Sequence, residues 1–295
     1  MRIIRPFTVD DTALTSSTVS EASPAAWNSG TTYALGDTVS LNHRIYESLQ
    51  NSNLNKAPAT ETAWWLDTGP TNRWAMFDNV MGTVTSDADE IVVVIDTTSR
   101  ITSVALLNVS GASEVTVLVE SGATEVYNQT HTFVSSYGID DWYQYFFAPI
   151  DRKANLVITD IPPYGAVTVT VTVTGTGATV GVGNLILGLD REIGSTVYGA
   201  SLGIVDYSTK TADAWGNYSI TERAYSSKGR FTVWIDNTDI DNTMLLLATY
   251  RATPVVWYGA DDYASTALFG FYREADISIA YPTQSILTID IEGLT

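Results

Sequence analysis

The chain has 295 residues and carries 15 lysines and arginines against 33 aspartates and glutamates, a net charge of −18. That balance repels phosphate backbones and removes the counterion release that drives nucleic-acid binding, so no nucleic-acid partner is expected. Cysteine is absent, which excludes disulfides, zinc–thiolate and iron–sulfur sites and thiol nucleophiles, and no apolar run reaches the roughly 20 residues of a membrane helix, so membrane insertion is not expected either.

The length predicts two or three cores rather than one. Residues 1–23 lack sustained periodicity, and the stretch from Thr12 to Ser23 is rich in Thr, Ser and Ala. This predicts an extended N-terminal arm, read first as a frayed terminus and, as the alternative, as an arm that orders against a neighbouring subunit. The same segment lacks the apolar stretch and cleavage site of a secretory signal. Residues 24–70 then turn aromatic, with Trp27, Tyr33, Tyr46, Trp64 and Trp65 separated by Asn28-Ser29-Gly30, Gly36-Asp37 and Leu41-Asn42-His43. Short extended runs between such turns predict a small antiparallel module whose rings supply most of its buried area.

From residue 71 to 189 the strands lengthen and alternate strictly. Ile91-Val92-Val93-Val94-Ile95 and Val115-Thr116-Val117-Leu118-Val119 are followed by the clearest case, Val167-Thr168-Val169-Thr170-Val171-Thr172-Val173-Thr174. Period two puts every valine of that run on one face, as a half-buried strand of a β-sandwich requires. The glycine-rich run from Gly175 to Gly181 lacks dinucleotide-binding spacing and reads as a loop between strands. Residues 190–295 read as a C-terminal β-domain containing one helix over 241–251, where straight-chain residues follow Asp241-Asn242 and Pro254 forces an end. The fold class expected is therefore all-β, with one short helix.

A search for chemistry finds little to assemble. His43 and His131 lie far apart, one in a turn and one in a polar run, and both read as solvated surface residues. The pairs Asp10-Asp11, Asp140-Asp141 and Asp261-Asp262 read as loop and turn residues, since neighbours on a strand point to opposite faces. Asp236, Asp239 and Asp241 offer alternating oxygens of the kind calcium takes, without the glycine and distal glutamate of the helix–loop–helix motif. Turn and helix cap are the favoured roles there. No catalytic residue, cofactor or metal is assigned, and the chain is not expected to be an enzyme.

The order Trp27, Tyr33-Ala34-Leu35-Gly36-Asp37-Thr38-Val39, Tyr46, Pro58, Trp64-Trp65 resembles the small carbohydrate-binding modules of families 5 and 12 that accompany chitinases and cellulases. The resemblance implies a core of Tyr33, Val39, Tyr46 and Trp64. In chitin-binding members the loop before the proline carries the stacking rings, whereas here it reads Gln50-Asn51-Ser52-Asn53-Leu54-Asn55-Lys56. The usual sugar platform is therefore expected to be lost, with Trp27 and Trp65 left as the candidate carbohydrate-binding residues.

Further along, Pro162-Pro163-Tyr164-Gly165-Ala166 with the valine–threonine strand and Val182-Gly183-Asn184-Leu185 resembles the closing strands of a galactose-binding-like jelly roll. The whole order, running on to Gly199-Ala200-Ser201-Leu202-Gly203-Ile204-Val205-Asp206, is similar to structural proteins of tailed-bacteriophage tails. That resemblance implies a virion protein of the baseplate or tail tip, made in the bacterial cytoplasm. Its expected partners are other tail proteins and copies of itself in a symmetric homo-oligomer. The alternative is a receptor-binding tail protein that attaches to a host-surface polysaccharide.

Overall fold

The computed structural model describes residues 1–135, 140–147, 152–212, 215–260 and 263–294. The chain is all-β, 54% strand against 9% helix. Among the described residues a 14-stranded antiparallel sheet holds most of the strands. Its axis is one strand of 25 residues, Thr168–Glu192. The expected alternation is present: Val169, Val171 and Val173 are buried while the intervening threonines are half-buried. Fully burying each valine contributes about 1.5–3 kcal/mol.

In its first half this strand lies between Thr85–Asp96 and Ala112–Ser121. In its second half it pairs with Ser103–Ser110. The register slips between Thr174 and Thr179, so the glycine-rich run is a bulge within one strand rather than the expected loop between two. Opposite it stands Gly111, at φ +69°, where a Cβ would lie 2.1 Å from the Thr179 carbonyl oxygen. Only glycine fits there, and both strands bend together from one layer of a sandwich into the other. Val93, Val117 and Val171 meet Val104, Leu106 and Leu187 in its core.

The second unit is a barrel, and it includes the N-terminus. Arg2–Pro6 pairs with residues 188–192 on one side and with Val256–Tyr258 on the other. The sheet continues through Val255–Tyr258, Ala267–Ser278 and Gln284–Gly293 to Tyr225–Asp236. Closure comes from the end of the long strand: Ile193 N–H donates to the Met1 carbonyl, and Ser195–Thr196 then pairs with Trp234 and Val233. A Cβ on Gly194 would sit 2.1 Å from the Trp234 carbonyl oxygen, so the crossing needs glycine. Ile3, Ile193, Phe231, Val233, Trp257, Leu268 and Ile289 fill the interior. The expected helix spans Ile240–Thr249 and supplies Leu247 to this core, followed by Tyr250.

Two expectations about domain organisation are corrected by this arrangement. Residues 1–23 are no arm: Ile3 and Ile4 are 1% and 0% exposed, and Leu14–Ser17 pairs with Thr85–Asp96. The reason alternation failed to reveal the first strand is that both its faces are covered. Ile3 points into the barrel, and Ile4 meets Ala105, Leu107, Ile186 and Phe269 in an apolar layer between the barrel and the sandwich. The boundary between residues 189 and 190 falls inside the long strand. The barrel is thus built from both ends of the chain, with the sandwich inserted after Pro6 and residues 24–70 inserted within the sandwich.

Candidate functional site

The inserted module has a sealed core. Thr38–Leu41, Arg44–Ser48 and Trp65–Pro70 form a three-stranded sheet, and Thr32–Tyr33 pairs with Asn53–Leu54. Tyr33, Val39, Tyr46 and Trp65 make the core, with Trp27 and Trp64 packed against it. Three of the four expected core residues are therefore buried, and the two adjacent tryptophans exchange roles. Trp65, expected as a sugar contact, is 2% exposed, lies edge-on to Tyr33 at 5.2 Å, and donates from Nε1 to the Lys56 carbonyl at 2.8 Å. The strand begins at Trp65, whose first position faces the core, while Trp64 stays in the turn before it. Trp64, expected in the core, is half-buried under the Lys56 ammonium, 5.4 Å from its ring centre.

Trp27, the other sugar candidate, is half-buried, and its Nε1 is enclosed with no acceptor among the described residues. The loop that departs from the carbohydrate-binding pattern is structural. Asn53 is fully buried and donates to Ser48 Oγ at 2.9 Å, while Asn51 accepts from the Leu35 N–H at 3.1 Å. The module's well-exposed large apolar side chains are Leu35, Leu49, Leu54 and Leu66, which offer no ring face to a sugar.

Neither histidine is simply solvated. His43 stacks on Trp74 with ring centres 4.2 Å apart, its Nε2 2.7 Å from Asp11 and its Nδ1 2.8 Å from Glu21. Glu21 also accepts from Thr71 Oγ1 at 2.7 Å and faces Arg73 at 3.9 Å. Burial pushes the Glu21 carboxyl up, but the bonds from Thr71 and His43 and the charges of His43 and Arg73 outweigh it and hold the pKa below its ordinary value. This cluster fastens the module's hairpin turn to the sandwich. His131 Nε2 lies 3.2 Å from Tyr127 Oη, which donates to Asp160 at 3.0 Å. Burial and the Asp160 carboxylate push the Tyr127 phenol well up, so it stays a neutral donor.

The acidic candidates are accounted for locally. Asp10 caps its own turn through Thr12 and Ala13, which lowers its pKa. Asp141 accepts from the Gln144 N–H at 2.7 Å as the cap of the Trp142–Phe147 helix, and Gln144 Oε1 accepts in turn from the Asp140 N–H one residue before it. That helix was missed at the sequence level, and the acidic-then-Gln spacing was its signal. Asp261 and Asp262 lie outside the described residues. Asp236, Asp239 and Asp241 are spread over a strand end, a 3-10 turn and the first turn of a helix, and no group of three metal-ligating side chains converges among the described residues.

The pronounced surface feature lies elsewhere, on the barrel. Ser201–Asp206 pairs with residues 225–230 as the last strand of its sheet, and Thr209–Ala212 pairs with Tyr218–Thr221 in a separate two-stranded sheet. Tyr218 and Ile220, paired across from Ala212 and Lys210, are 63% and 64% exposed. Thr209, Thr211, Ser219 and Thr221 take the opposite face. Ile204, 66% exposed, lines the same shallow groove as Ile220 and Tyr225. A strand pair with one largely apolar and one hydroxyl face is patterned for one-sided burial, and this one has its apolar side open apart from Lys210, whose ammonium lies 4.4 Å from the Tyr218 ring centre. The alternation, though not its exposure, was present in Leu202-Gly203-Ile204 and Tyr218-Ser219-Ile220. Comparison with known protein families, with curated proteins and with solved structures gives no match.

Proposed function

We propose that this chain is a structural subunit of a tailed-bacteriophage virion, in the baseplate or tail tip, and that it works by protein–protein assembly. The sequence resemblance to tail proteins supplies the setting. The mode of action rests on the outward apolar face that runs from Leu202 and Ile204 to Tyr218 and Ile220. An isolated two-stranded ribbon is marginally stable in water and gains order when its apolar side is covered. Gold-labelled antibody against the chain should decorate one end of the tail on purified particles from the bacterium that carries the gene. Particles with tails that never bind the antibody, and that lack the chain by mass spectrometry, would end this reading.

A second reading, attachment to a host-surface polysaccharide, is favoured by the Trp142–Phe147 helix rather than by the module. Trp142, Tyr143, Phe146 and Phe147 are each about 70% exposed or more, and the Tyr143 and Phe147 rings lie 4.9 Å apart. Exposed rings of this kind stack on the apolar face of a sugar. Retention of the chain on polysaccharide from the host, reduced by Tyr143→Ala with Phe147→Ala, would support it; equal retention by the variant would remove it.

A further inference from the structure

We infer that His43 is a pH-operated latch: as an imidazolium it locks residues 24–70 against the sandwich, and loss of its proton frees that module to pivot on the two chain segments that join it to the rest of the molecule. The inference does not depend on the assembly reading.

The module is packed as a body of its own. Its core of Tyr33, Val39, Tyr46 and Trp65, with Trp27, Leu41 and Trp64 against it, shares no residue with the core of the sandwich among the described residues. The ties at its base are polar instead. His43, at the tip of the hairpin, reaches Asp11 and Glu21, Thr71 Oγ1 donates to Glu21 at 2.7 Å, and Arg73 Nε donates to the Val19 carbonyl at 2.8 Å.

The number of donors sets the charge of the ring. Nε2 and Nδ1 of His43 lie 2.7 and 2.8 Å from carboxylate oxygens of Asp11 and Glu21. An ionised carboxylate only accepts, so both nitrogens must donate, and only the imidazolium has two N–H groups. A neutral ring would turn a lone pair toward one carboxylate at hydrogen-bond distance, and that contact would become repulsive. The face of the ring lies on Trp74, centres 4.2 Å apart, and an indole face attracts a cation. The charged groups around His43 are the two carboxylates and Arg73, which stands 3.9 Å from the other oxygen of Glu21. Arg44, next in the chain, is engaged by Asp67, and Asp10 by its own turn.

The backbone points the same way. Asn42 and His43, at φ +49° and +63°, are the two central residues of the turn that joins Thr38–Leu41 to Arg44–Ser48. Glycine suits the second of these positions best. The hairpin itself gains nothing from a histidine there, and the ring's partners Asp11, Glu21 and Trp74 all lie outside residues 24–70.

Histidine is the side chain whose charge ordinarily changes between about pH 5 and pH 8. Its contribution to the latch is complete while the ring is protonated and is lost as pH rises through the ring's titration. Glu21 behaves in the opposite sense, its contribution being lost on the acid side. The latch is therefore closed over a window of pH, opened at one end by protonation of the carboxylates and at the other by loss of the imidazolium proton.

The full chain has no cysteine, so Ala59→Cys in the module with Gln129→Cys on the sandwich gives two unique labelling positions, both exposed. Single-molecule energy transfer between dyes at these positions should show one narrow distribution at about pH 6 and a broad, displaced one at about pH 9, the ratio of released to latched molecules rising about tenfold or more. In the nitrogen–proton spectrum at about pH 6 both ring nitrogens of His43 should carry protons, and one should be lost over the pH range in which the module is released. His43→Gly should be released at both pH values with the module still folded, since glycine suits the turn. Asp11→Asn should stay latched at the higher pH, because its amide can turn to donate to the bare nitrogen. A distribution indifferent to pH, a single ring proton on His43 in the latched chain, a His43→Gly chain that stays closed, or an Asp11→Asn chain released as fully as the parent would each overturn the inference. The ring-proton count needs no variant, so it decides the matter even where His43→Gly unfolds the module.

Discussion

Residues 24–70 and residues 201–225 are both short, both β, and both rich in aromatic and branched side chains, yet the first turns its rings inward and the second outward. In the module, Tyr33, Tyr46 and Trp65 close on Val39 and Asn53 bonds Ser48 beneath them. In the hairpin, Tyr218 and Ile220 alternate with Ser and Thr, but both side chains stand mostly open to solvent. The contrast shows that aromatic content does not locate a binding surface. A small module uses its rings for stability because little else in about 45 residues can be buried. The hairpin borrows its register from a large barrel and leaves its apolar face for another use.

The comparison breaks most severely at Trp65. Trp65→Ala removes a fully enclosed ring together with its bond to Lys56, and should cost about 3–5 kcal/mol. The module should become susceptible to protease within residues 24–70 while the barrel and sandwich stay intact. Native resistance of the variant would show that the ring is not the keystone described. Asn53→Tyr should come next. It forces a larger side chain into a fully buried site and removes the donor to Ser48 Oγ, which keeps only the Gln50 carbonyl, at about 2–3 kcal/mol. It would damage the module, not rebuild a sugar platform, and a variant as stable as the parent with gained retention on chitin would refute that.

Much of this fold was readable from residues. The valine–threonine strand, the helix near 240 and the ring-rich module all follow from periodicity and turn chemistry, because each buries one face or one closed set of residues. What escaped was whatever depended on distant chain. Ile3-Ile4 gives no alternation because one side chain serves the barrel and the other the layer beneath the sandwich. The bulge at residues 175–178 read as a loop because glycine marks both, and only the Gly111 approach to Thr179 tells them apart. Trp64 and Trp65 were exchanged because the strand begins between them, and the face of a residue is set by that register. Exposure of the Tyr218–Thr221 strand could not be read at all, since alternation announces a buried face but not who buries it.

The two regions also differ in how they are fastened. The module's turn is pinned by His43 between Asp11 and Glu21, with Thr71 and Arg73 alongside. Glu21 has a folded-state pKa below its ordinary value of 4.5. Its contribution is therefore complete above the unfolded value and is lost as pH falls through the lower folded one. Above its ordinary value of 4.5 this group should hold its share of the attachment, and as pH falls below that value the attachment should loosen progressively by this group, as read by proteolysis at residues 18–24. Glu21→Gln should mimic the acid state at neutral pH, at a cost on the order of 1 kcal/mol. Unchanged acid sensitivity in Glu21→Gln would place the titrating group elsewhere.

The smallest effect is expected where the apolar residue is most conspicuous. Ile220→Lys changes a branched side chain to a charge in the middle of a strand, a substitution that would cost several kcal/mol at any buried position of the sandwich. At residue 220 the side chain is 64% exposed, and the cost that remains is the like-charge pairing with Lys210 across the hairpin, on the order of a few tenths of a kcal/mol at an exposed site. No apolar contact is lost to the chain's own core, and the hydroxyl face of the hairpin is untouched. Measured at concentrations low enough to keep the chain monomeric, the variant should match the parent within about 0.5 kcal/mol, a shift of no more than about 2 °C in melting temperature. A loss of about 2 kcal/mol or more under those conditions would mean that the hairpin folds back and buries Ile220 on its own barrel. The difference between the module and the hairpin would then be one of degree, and the open apolar face would cease to be available for a neighbour.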